Sequence, residues 1–98
     1  MKNITKEWLG AAYDDLLTIE EIIDNIHLYH VVAFHAQQCV EKSFKAVLED
    51  KEIEFPSIHK LLKLYKLIPL DLTLSNPDLL TTLDKLYIDS RYPGDMGL

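Results

Sequence analysis

The segment from about Tyr29 to Asp50 sets the strongest limit on what this chain can fold into. At about 100° per residue, Val32, Ala33, Ala36, Cys39, Val40, Ser43, Phe44, Ala46, Val47 and Leu48 fall on one continuous arc covering over half of a helix. An arc that wide belongs to a central helix packed by several neighbours. His35, Gln38, Lys42, Lys45 and Glu49 form the narrow stripe left over, and that stripe needs either water or a ligand.

The neighbours are legible on both sides. From Ile4 to about Asn25, Trp8, Leu9, Ala12, Leu16, Ile19, Ile23 and Ile26 recur at intervals of three and four, the helical period, and the acids fall between them on what reads as a solvated face. "NIHLYH" (25–30) breaks that pattern and turns the chain into the central helix. "EFPS" (54–57) stops the central helix, because Pro56 pushes Phe55 away from helical angles, and Ser57 is placed to cap a third helix from Ile58 to about Ile68, ended by Pro69. In "SNPDLL", Asn76 as cap, Pro77 at the first helical position and Asp78 near the positive end of the helix dipole open a fourth helix reaching Ile88 or Asp89. "SRYPGDMGL" then carries Pro93, Gly94 and Gly97, which is loop chemistry. No run alternates with period two. The expected fold is all-α: an up-and-down antiparallel bundle of about four helices forming one domain over residues 1–98.

Composition narrows the function. A chain of 98 residues buries only about 60–65% of the surface its unfolded form exposes, so a second copy or a partner would add to a thin stability margin. The formal charge of -6 argues against sequence-blind wrapping of nucleic acid, although Lys60, Lys63 and Lys66 follow one another with no acid between them. A lone cysteine, the lack of a presequence and the lack of an apolar span make a cytoplasmic protein with no membrane contact the default expectation. Cys39, on the apolar arc, reads as a small buried hydrophobe. No Gly-rich phosphate loop or G-x-S-x-G turn is present, and no cofactor is expected.

Metal binding is not expected either, since His30 and His35 are five residues apart and point about 140° away from each other. His59, behind Ser57, reads as a local hydrogen-bonding group at a turn. For phosphate recognition the candidates are Lys42, Lys45 and the only arginine, Arg91, whose planar fork of donors suits phosphate, with Tyr92 beside it as a stacking surface. The competing reading of Lys42 and Lys45 is a solvated stripe paired with Glu41 and Glu49 at four-residue spacing, and Tyr92 is equally suited to anchoring the last loop.

Three blocks, "FHAQQCVEKSFKAVL" (34–48), "PSIHKLLKL" (56–64) and "SRYP" (90–93), together resemble the HEPN domain family, in particular the "RYP" group often paired with minimal nucleotidyltransferases. The resemblance implies a helical bundle, commonly dimeric, and three activities: nucleotide binding, metal-independent RNA cleavage by toxin members, and partnership in toxin–antitoxin pairs. Family RNases resemble one another in an R-x(4-6)-H motif. Arg91 matches the arginine, but positions 96–98 are Met96, Gly97 and Leu98, so the histidine is absent. Since a positioned proton-transfer group is worth about 10² to 10⁴-fold in rate, cleavage by that route is not expected. The family's usual helix after the "RYP" loop has no counterpart before Leu98, and the groove it would leave favours a homodimer. The expectation is therefore a non-catalytic HEPN protein that binds nucleotide or assists a nucleotidyltransferase, with Arg91, Tyr92, Lys42, Lys45 and His35 as its nucleotide contacts. The alternatives are a metal-independent RNase toxin using His35 or His59, and a plain helical interaction module.

Overall fold

A computed structural model of the chain describes residues 1–69 and 74–91, the last of these for its backbone alone. The expected loop from Tyr92 onward lies outside the described residues. Among the described residues there are four α-helices, α1 (Asn3–Ile22), α2 (Tyr29–Asp50), α3 (Leu61–Leu67) and α4 (Asp78–Arg91), with a 3-10 turn over Ile26–Leu28 before α2. There is no strand among the described residues. The all-α bundle expected from periodicity is the fold, and α2 is its centre, packed by α1 on one side and by α3 and α4 on the other.

Local chemistry explains the boundaries. Asn25 accepts the His27 amide on Oδ1 at 3.0 Å, which closes the turn between α1 and α2. At the end of α2 the Glu52 amide bonds the Glu49 carbonyl and the Ile53 amide bonds the Leu48 carbonyl. This is a Schellman ending, and it puts Glu52 in the left-handed region at φ 58° while Ile53 folds back onto the core beside Leu48. Ile68, held extended by the proline that follows, stops α3. Asn76 caps α4 by accepting the Asp78 amide at 3.2 Å, as its position in "SNPDLL" predicts.

Helix α3 starts three residues later than the sequence suggests, and Ser57 does not cap it. A tight turn in which the Ile58 amide bonds the Pro56 carbonyl at 2.8 Å keeps the chain extended past Ser57. The first amide of α3 is satisfied instead from another helix: Asp84 Oδ2 on α4 accepts the Leu61 amide at 3.0 Å.

The apolar core lies between the C-terminal half of α2, α3 and the start of α4. Phe44, Leu48, Leu61, Leu64, Ile68 and Leu80 are buried together, with Val40, Ile53, Phe55, Tyr65 and Leu83 packed around them. Helix α1 departs from expectation. Its α2-facing line is Thr5, Trp8, Ala12, Asp15, Ile19 and Ile22, so an acid expected in solvent, Asp15, is 5% exposed, whereas Leu9, Leu16, Ile23 and Ile26, expected inside, are 39–78% exposed. Asp15 turns inward because its partners are there.

Candidate functional site

The polar stripe of α2 is where α1 lies. Asp15 Oδ1 on α1 is 2.8 Å from His35 Nδ1, and its Oδ2 accepts from Lys42 Nζ at 2.9 Å. Lys45 is buried, donates to Glu41 Oε2 at 3.1 Å across one helical turn, and holds its ammonium 5.4 Å from the centre of the Trp8 ring. Three of the five residues expected to contact nucleotide, His35, Lys42 and Lys45, therefore have their side chains engaged by groups of α1 or of α2 itself. Of the other two, Arg91 ends α4, and its side chain and Tyr92 lie outside the described residues. Cys39 is half-buried near the same seam; burial pushes its thiol above the usual range, and the Asp15 carboxylate adds to that.

A second polar cluster, which sequence reasoning missed, joins α2 to α3 and α4. Gln37 is fully buried, and its Nε2 donates to the His59 carbonyl at 3.0 Å, Asp84 Oδ1 at 3.2 Å and Glu41 Oε1 at 3.3 Å. Its two amide hydrogens are thus shared among three acceptors, while its Oε1 accepts from Gln38 at 2.9 Å. Glu41, also buried, faces His59 Nδ1 at 3.1 and 3.2 Å through its two oxygens. A readable signal for this cluster existed: Gln37, Glu41, Phe44 and Leu48 run at intervals of four, three and four down one line of α2, so a polar pair shares the core-facing line of two buried hydrophobes.

The outer edge of this cluster opens into a cleft between α3 and α4. One part, of roughly 530 Å³, is walled by Lys60, Leu62 and Lys63 on one side and Thr81, Asp84, Lys85, Ile88 and Asp89 on the other. It continues past Lys60 and Lys63 into a recess of roughly 360 Å³ reached by Ile58, His59 and Tyr87. Such volumes suit a small ligand, and Leu62, Ile58 and Ile88 give the cleft apolar walls. Three lysines and two carboxylates line it, a slight excess of positive charge in an otherwise acidic protein. Lys60 and Lys63 make no ion pair among the described residues, Lys85 pairs with Asp89 at 2.8 Å, and Asp84 is already committed to Gln37 and the Leu61 amide.

His59 stands at the lip, its side chain 65% exposed while its carboxylate partner is 5% exposed. In a neutral imidazole, a carboxylate facing Nδ1 selects the tautomer with the proton on that nitrogen, and Nε2 is then an acceptor. The expected local role of His59 is thus replaced by a contact to the central helix. Arg91 ends α4 one helical turn past Tyr87 and Ile88, both of which line the recess.

Among the described residues no helix is long and apolar enough to cross a membrane. Compared with known proteins, residues 5–97 match the HEPN domain family. No curated protein and no solved structure gives a match. With nearly the whole sequence matched and three helices packed about α2, the chain belongs to the HEPN domain family.

Proposed function

We propose that the α3–α4 cleft binds the phosphates of a nucleotide and that this HEPN protein works as the partner of a minimal nucleotidyltransferase, in a pair of the toxin–antitoxin type. One observation carries the reading: Lys60 and Lys63 stand unpaired among the described residues at the mouth of an apolar-walled cleft, in a protein with a formal charge of -6. Free cations placed against net negative charge mark a local anion site. Lys60 and Lys63 hold phosphate, Arg91 at the end of α4 adds its fork of donors, and Ile88 and Tyr87 offer a surface for a base. Lys42, Lys45 and His35 hold helices together and do not contact ligand. Pairing with a nucleotidyltransferase draws its support from the family and from the blocks that carry it, "SRYP" among them.

A second reading, metal-independent RNA cleavage, is favoured by a specific feature. His59 is aimed by buried Glu41 and presents Nε2 to solvent beside Lys60 and Lys63, an arrangement suited to taking a proton from a 2'-hydroxyl while cations hold the phosphate.

Titration of ¹⁵N-labelled protein with ATP, followed by amide shifts, tests the first reading. Under the first reading shifts concentrate on residues 58–63 and 84–91, and Lys60→Ala/Lys63→Ala weakens binding by about tenfold or more, as expected for two charge-assisted phosphate contacts. Absence of any shift at millimolar ATP ends it. Incubating single-stranded RNA with the protein in EDTA addresses the second: cleavage lost in His59→Gln supports it, and intact RNA removes it.

A further inference from the structure

Helix α1 is apolar on two sides, and only one of them is covered. The side turned to α2 carries Trp8, Ala12 and Ile19. About 110° round the helix runs a second stripe of Leu9, Tyr13, Leu16, Leu17 and Ile23. Tyr13 and Ile23 are 59% exposed and the three leucines 39–42% exposed. A surface helix ordinarily needs one apolar stripe, and a second one at i, i+4, i+7 and i+8 from Leu9 is the spacing with which a helix receives another helix. Gly10 borders the stripe and, its own helix apart, nothing stands within 4 Å of where its Cβ would be, so a docked backbone can approach closely there.

Charge specifies the kind of helix. Between Lys6 and Lys42 the chain has no lysine or arginine. Asp15 and Glu41 in that interval are buried and paired, whereas Glu7, Asp14, Glu20, Glu21 and Asp24 are exposed and make no ion pair among the described residues. On the helix Glu20 falls about 20° from Tyr13, on the stripe itself, and Glu21 and Asp14 lie along its edge beyond Leu17. Glu20 and Glu21 also sit in the last turn of α1, where no base is present, and there they oppose the macrodipole. A partner that brings cations to this edge offsets both the repulsion among the acids and their conflict with the dipole.

We infer that the exposed stripe of α1 docks a basic amphipathic helix of a different protein, its apolar residues on Leu9, Tyr13, Leu16 and Leu17 and its lysines or arginines against Asp14, Glu20 and Glu21. A second copy is the wrong occupant of this face, because its α1 brings one exposed base, Lys6, against the four exposed acids Glu7, Asp14, Glu20 and Glu21. The inference is independent of the cleft, which lies on α3 and α4.

Titrating the ¹⁵N-labelled full chain with three synthetic peptides of about 18 residues, or five helical turns, tests it. One carries leucines at i, i+3, i+4 and i+7 flanked by lysines, one has the same leucines flanked by glutamates, and one scrambles the first so that no apolar face forms. The lysine-flanked helix binds, with shifts concentrated on residues 9–24. Its affinity falls about tenfold or more in Glu20→Lys/Glu21→Lys and in Tyr13→Ser/Leu16→Ser, with circular dichroism showing each variant folded. Equal binding of the glutamate-flanked or the scrambled peptide overturns the inference, as do shifts confined to other helices or no binding at about 1 mM peptide. In the protein's own cells, Tyr13→p-benzoylphenylalanine and irradiation identify the natural occupant. A crosslink into an apolar, lysine- or arginine-flanked segment of another protein supports the inference; a crosslink to a second copy, or none, overturns it.

Discussion

The two sides of α2 hold their neighbours by different physics. Toward α3 and α4, Leu48, Leu61 and Leu64 are completely buried with Phe44, Ile68 and Leu80 in a continuous apolar cluster. Each such side chain contributes about 1.5–3 kcal/mol and is largely indifferent to the identity of its apolar neighbour. Toward α1 the seam is built on Ala12, Ala46 and a carboxylate, Asp15, that meets His35 and Lys42 on two different oxygens. Removing those charges from water is costly, and their attraction offsets the cost only in one geometry. The contrast assigns different jobs: the apolar cluster supplies the energy of association, and the charged seam sets where α1 lies along α2. The seam's part in specificity is a hypothesis, and four variants test the contrast.

The largest effect belongs to the apolar side. Leu64→Ala leaves a cavity where the side chain is fully buried and should cost about 3–5 kcal/mol, a large fraction of the stability of so small a domain. Urea unfolding followed by circular dichroism measures it. A loss under about 1 kcal/mol would show that the cluster collapses readily onto the gap and is not the source of the association energy.

Next is Asp15→Asn, which keeps the shape and removes the charge facing His35 and Lys42. Those partners are about a quarter exposed and can regain some water, so the expected loss is about 2–3 kcal/mol, below the range for a fully buried pair. The informative partner experiment is Asp15→Leu/Lys42→Met, which removes the principal charges together. It should recover most of the stability while the α1–α2 pairing loses its single register, seen as broadened amide resonances on α1. Recovery of stability with sharp, unshifted resonances would mean that the seam carries no positional information.

The sequence made the first half of this contrast visible and hid the second. Helix period, the stop at Pro56 and the cap at Asn76 are local features, so α2 and α4 and the core lines through Phe44 and Leu64 could be read directly. The stripe of α2 was also visible, but water, ligand or another helix satisfies it equally well on paper. Only the packing of α1 shows that Asp15 occupies it. The same holds for α3, whose cap is supplied by Asp84 from a helix more than twenty residues away. Of the cleft, the acid-free run Lys60, Lys63, Lys66 was readable, whereas the facing wall from Asp84 to Ile88 needs the tertiary fold. Gln37 was lost, and Glu41 was read only as a solvated partner of the lysine stripe, because a polar pair on a core-facing line looks like an interruption until its partners converge.

The smallest effect sharpens the comparison from within the seam. Thr5 is 3% exposed, and neither its hydroxyl nor the Trp8 Nε1 has a hydrogen-bond partner among the described residues. A seam built on directed contacts thus contains, at its N-terminal end, two polar atoms that receive none. An unmet buried hydroxyl costs about 1–3 kcal/mol, and valine has the same branched shape without it. Thr5→Val should therefore stabilise the fold by about 1 kcal/mol in urea unfolding, with the slope of the transition unchanged. The apolar cluster offers no comparable gain, because its fully buried leucines already present no polar atom. A destabilisation of similar size would mean that the hydroxyl is satisfied in solution, and the seam would then be directed along its whole length rather than only between Asp15 and its two partners.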